Sequence, residues 1–82
     1  MINNWESLSE IDLIYQVVLK RNPELLPLVA LVDHIPLTDE QREDLRGSIL
    51  GEFLELGLYE DYEPNAYGLR LSRLINYLGR DM

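Results

Sequence analysis

The residues best suited to chemistry crowd into one segment, GLYEDYEPNAYG, at positions 57–68. Asp61, Glu63 and Asn65 alternate as the first ligands of a calcium loop do, because a hard cation collects oxygen donors from every second residue of a tight loop. The rest of that pattern is missing. Ala66 stands where the sharp turn needs glycine, Pro64 stiffens the segment, and Ser72 stands where a bidentate acid should close the site. No metal or cofactor is therefore expected. Two readings stay open. Tyr59, Tyr62 and Tyr67 offer large, rigid contact area, and Glu60, Asp61 and Glu63 offer charge for a basic partner. Alternatively, Pro64-Asn65 is a turn signal and the segment only joins two helices.

Other constellations are sparse. His34 is the only histidine and there is no cysteine, so triads, histidine-based zinc sites and thiolate sites lack members. Neither phosphate-cradling glycine motif, G-x-x-x-x-G-K-[ST] or G-x-G-x-x-G, occurs. Asp39, Glu40, Glu43 and Asp44 form a second acidic block, read as a solvated face that can add contacts to a partner. These absences lead us to expect a protein that is not an enzyme.

Composition points the same way. The 82 residues suffice for one domain and carry fifteen acids against seven bases, a formal charge of -8. Such a surface repels phosphate backbones and speeds encounter with a basic protein. The lack of cysteine fits the cytoplasm. No apolar run reaches membrane-span length, and the N-terminus MINNWESLSE lacks the basic start of a signal peptide.

The positioning elements read as helices. Ser7 with Glu10 has capping-box spacing, and Leu8, Ile11, Ile14, Tyr15, Val18 and Leu19 follow as one stripe, with Leu13 and Val17 nearly opposite. Lys20 and Arg21 suit the helix C-terminus, and Asn22-Pro23 ends this helix and opens the next. Leu25 to Val32 is apolar all round; without a second strand to pair with, it reads as a short helix starting near Pro23 or Pro27. Thr38 and Gln41 form a capping box for a long helix whose expected buried side is Leu45, Ile49, Leu50, Phe53, Leu54 and Leu56. Gly57 suits a Schellman stop with Leu58 folding back on Phe53. Gly47 and Gly51 predict a close approach by a neighbouring element. A last helix runs from about Gly68 to Leu78, with Leu71, Leu74, Ile75 and Leu78 inward, Tyr67 joining them if it starts a turn earlier, and Arg70, Arg73 and Tyr77 opposite. The expectation is an all-α domain: a small bundle of three main helices plus one short helix.

Two resemblances bear on function. WESLSEIDL resembles the serine-bearing segment of acyl carrier proteins, which would put a phosphopantetheine arm on Ser7. That family sets a full helix and a long loop before its serine, and here six residues precede it and Glu6 replaces the usual aspartate, so Ser7 reads as a cap. The C-terminal half, from LTDEQ to INYL, resembles a recurring type of small bacterial protein through Glu63, Pro64, Asn65, Gly68, Leu69, Leu74 and Ile75, the EPN-x-x-GL segment and the helix after it. Some such proteins look like immunity proteins that neutralise toxins. The resemblance implies an inhibitor without chemistry of its own, an immunity or antitoxin protein; for its contact with a basic protein or toxin, aromatic area and charge select Tyr59, Glu60, Asp61, Tyr62 and Glu63. Asp39, Glu40, Glu43 and Asp44 would add acidic contacts. Two rival expectations are a homodimeric adaptor, motivated by Leu13, Val17 and the apolar Leu25 to Val32, and a polyanion mimic that blocks a nucleic-acid-binding protein.

Overall fold

The computed structural model describes residues 4–79. It is all-α. Helices α1 (Glu10–Arg21), α2 (Leu26–Val29), α3 (Asp39–Leu56) and α4 (Ala66–Leu78) are joined by turns, with 3-10 turns at Trp5–Ser7 and Pro23–Leu25. Three main helices and one short one match the sequence expectation. Among the described residues there is no strand, only an isolated antiparallel bridge between Leu58 and Pro64.

Local chemistry accounts for most boundaries. Thr38 Oγ1 accepts from the Gln41 amide while the Gln41 side chain accepts from the Thr38 amide, so two of the orphan donors of α3 are satisfied reciprocally. Asn22 ends α1, and Pro23 opens the 3-10 turn that leads into α2. The cap of α1 is Ser9, not Ser7: Ser9 accepts from the Asp12 amide, and the Ser7 hydroxyl donates to the Asn4 carbonyl instead. The 3-10 turn at Trp5–Ser7 places Ser7 ahead of the helix. Helix α4 starts at Ala66, not Gly68, because Asn65 caps it by accepting from the Gly68 amide at 2.7 Å.

The core unites Leu13, Ile14, Val17 and Val18 of α1, Val29, Leu45 and Ile49 of α3, and Tyr67, Leu71, Leu74 and Leu78 of α4. Of the expected α1 stripe, Ile14 and Val18 are in the core, and its outer members are corrected. Leu13 and Val17 are fully buried, whereas Tyr15 and Leu19 face outward. The same holds for α3: Ser48 and Glu52 are buried, whereas Leu50 and Leu54 are exposed. In each helix the flank that meets its neighbours is buried, in α1 by apolar residues and in α3 with a serine and a glutamate upon it.

Helices α3 and α4 pack most extensively and run antiparallel, with Gly57 against Gly68 at one end and Arg46 beside Gly79 at the other. A Cβ on Gly68 would run into the Gly57 carbonyl oxygen, so this close approach requires glycine. Gly57 itself has φ -93°, so α3 ends without the left-handed residue of a Schellman stop. The close approach expected at Gly47 is also absent, since nothing lies within 4 Å of where its Cβ would be; Gly51 has the Arg21 side chain at 3.6 Å. Arg70 fastens the N-terminal segment to α4, donating to the Leu8 carbonyl at 2.6 Å and the Trp5 carbonyl at 3.3 Å and pairing with Glu10. Trp5 stacks at a tilt on Tyr67, ring centroids 5.3 Å apart.

Candidate functional site

The loop between α3 and α4 is a miniature hairpin. The Tyr59 amide donates to the Glu63 carbonyl at 2.8 Å, the Tyr62 amide to the Tyr59 carbonyl at 2.9 Å, and the Asp61 carboxylate accepts from the Glu63 amide. This pairing is that of a turn followed by one left-handed residue, a position that ordinarily takes glycine or asparagine. Here it holds Tyr62, at φ 68°. The residue is 82% exposed, and Tyr59 60%. Tyr67, grouped with them by sequence, is buried in the core and belongs to the scaffold.

Asn65 makes the hairpin rigid. Besides capping α4, its side chain donates to the Leu56 carbonyl at 3.0 Å and its amide to the Gly57 carbonyl at 2.9 Å, closing the end of α3. The EPN-x-x-GL segment acts as a joint at three of its positions: Pro64 bridges Leu58, Asn65 caps both helices and Gly68 permits contact, whereas Leu69 is exposed and Leu74, in the helix that follows, fills the core. No group of three or more metal-competent side chains forms among the described residues.

The nine sequence-selected residues do not form one patch. Tyr59 to Glu63 follow the C-terminus of α3, and Asp39, Glu40, Glu43 and Asp44 lie at its N-terminus, about 27 Å away along an 18-residue helix. All nine are exposed. Within the acidic block, Asp39 is engaged by Arg42 and Glu43 by Arg46, each one turn on, which leaves Glu40 and Asp44 outside any ion pair among the described residues. Between the two clusters, α3 turns Leu50 and Leu54 to solvent.

Sequence reasoning missed Glu52. Its carboxylate is fully buried and accepts from Lys20 Nζ at 2.6 Å, Arg21 Nε at 2.7 Å and the Tyr67 hydroxyl at 2.6 Å. Burial pushes the carboxyl up, and the bonds from Lys20, Tyr67 and Arg21 outweigh it and hold the group below the usual carboxylate range. Burial and then Glu52 push the Tyr67 phenol well above its ordinary value. Arg21 also reaches Glu55, and Ser48 donates to the Asn22 side chain beside it. With all three donors directed at one carboxylate, the cluster locks α1, α3 and α4 together. The only hint in the sequence was an acid at 52 breaking the apolar arc of α3.

His34 is exposed in the turns after α2, where its backbone amide donates to the Leu31 carbonyl. Asp33 and His34 separate two clefts. One, of about 420 Å³, lies between residues 32–37 and Arg42, Tyr77 and Leu78. The other, of about 190 Å³, lies between α1 and α2. Tyr77 donates to Asp33 at 2.5 Å. No described helix is long and apolar enough to cross a membrane. Among known proteins, no family model, no curated protein and no solved structure matches this chain.

Proposed function

We propose that the protein is a non-enzymatic binding protein that neutralises a basic partner, an inhibitor of the immunity or antitoxin type acting in the bacterial cytoplasm. The observation that carries this reading is Tyr62. A bulky residue in the left-handed region costs about 1–2 kcal/mol, and its exposed ring returns almost no burial. A loop that served only to connect would do better with glycine there. With Tyr59 beside it and Glu60, Asp61 and Glu63 around it, the ring is held by a hairpin that Asn65 anchors to both helices, as a preorganised aromatic anchor would be. The charge of -8 favours fast capture of a basic surface.

The homodimer reading loses its first motivation, because Leu13 and Val17 are core. Of its second motivation, Leu25 to Val32, Val29 is buried and Leu31 is exposed, and the exposed Leu50 and Leu54 now add to it. The polyanion-mimic reading would need acids along one continuous face, whereas the two acidic clusters are separated by the apolar stretch of α3.

The test is affinity capture on the immobilised protein from a lysate of its host, washed at low and high salt. Retention of one stoichiometric basic protein, lost on Tyr59→Ala with Tyr62→Ala, is the expected result. Retention unchanged in that double variant removes the loop from the interface. Nothing retained, together with a dimer in solution, refutes the inhibitor reading.

A further inference from the structure

The cleft between α1 and α2 was singled out by no feature of the sequence. Its floor is apolar, formed by Ile11, Leu26 and the buried Val29. Its rim carries Tyr15, 44% exposed, with the small Ala30 giving access. Two carboxylates, Asp12 on α1 and Asp33 after α2, stand at its edge, and among the described residues no lysine or arginine lines it; His34 completes the wall. At about 190 Å³ it falls below the size of drug-like and cofactor sites and has room for about one long side chain.

We propose that this cleft receives an arginine side chain from a basic partner protein, an inference that rests on the binding function proposed above and locates a second contact for it. An apolar floor suits the three methylenes of the arginine stem, and paired acids at the rim suit its planar, weakly hydrated cation. Tyr15 adds an aromatic ring within reach of a guanidinium. Asp33 is preorganised, since the Tyr77 hydroxyl already holds its Oδ1. Among the described cations of this chain, Lys20, Arg21, Arg42, Arg46 and Arg70 are engaged in ion pairs within the molecule, so a second copy would offer only Arg73, exposed on α4.

The experiment titrates the full-length, isotope-labelled protein with n-butylguanidinium, and in parallel with n-butanol, following methyl and amide resonances. Saturable shifts at Ile11, Leu26 and Val29 with butylguanidinium, at least tenfold weaker with butanol, are expected. Asp12→Asn should weaken the interaction about fivefold or more while the urea midpoint stays within error, which separates lost recognition from lost folding. Equal response to butanol overturns the proposal, because the cleft would then select only apolar bulk. So do shifts confined to residues 59–63 or 39–44, which would leave the general binding function standing without this contact. No shift anywhere at tens of millimolar also overturns it. Conversely, saturation here with no partner captured by the whole protein would refute the inhibitor function and leave the cleft as a guanidinium site.

Discussion

Replacing Tyr62 by glycine separates a connector from an anchor. The residue sits at φ 68° and is 82% exposed, so the folded state bears a left-handed penalty of about 1–2 kcal/mol and recovers little by burial. Glycine removes that penalty and adds about 0.5–1 kcal/mol of unfolded-state entropy that folding must overcome. The balance is a protein about 0.5–1 kcal/mol more stable, a rise of about 4 °C in Tm for a domain of this length. Tyr62→Ala keeps the penalty and loses only an exposed ring, so it should stay within about 0.5 kcal/mol of the parent. Urea unfolding with unchanged m-values is the assay. A loss of more than about 1 kcal/mol in either variant would refute the reasoning, because the ring would then be supporting the fold rather than waiting for a partner.

The remaining predictions concern the scaffold. Gly68→Ala should cost at least about 2 kcal/mol, since its Cβ meets the Gly57 carbonyl and α3 and α4 must separate; a neutral result by urea unfolding would discount that contact. Gly47→Ala should stabilise by about 0.8–1 kcal/mol, because open space surrounds the new methyl and helix propensity alone changes; thermal unfolding checks it. Glu52→Gln should cost about 2–3 kcal/mol, toward or below the lower end for a broken buried pair because Lys20 is partly solvated. Glu52 titrates lower in the folded chain than its ordinary 4.5, so its contribution is complete above that value and fades as pH falls through the lower folded value. Tyr67 is shifted upward, so its contribution is complete below pH 10.0 and declines above it. Stability measured against pH should therefore fall at both extremes in the parent, and the acid limb should flatten in Glu52→Gln.

Much of this molecule is legible in the order of its residues. Thr38 with Gln41, Asn22-Pro23 and the leucine stripe of α4 each act over one or two turns, so neighbours in sequence suffice to place the helices and the all-α class. The exposure of Tyr59 and Tyr62 also follows from their place on a polar turn. Tertiary structure decided the rest, because the deciding partners are far apart in the chain. Which arc of α1 and α3 faces inward depends on what the other helices present, so Leu13 and Val17 entered the core and Leu50 and Leu54 were left outside. An acid at 52 becomes a buried latch only when residues 20, 21 and 67 converge on it. The left-handed backbone of Tyr62 is imposed by a hairpin closed between Tyr59 and Glu63, and the cleft rimmed by Asp12 and Asp33 exists only where α1 meets α2. Local periodicity assigns a residue to a helix, whereas burial and charge pairing depend on distances that only packing sets.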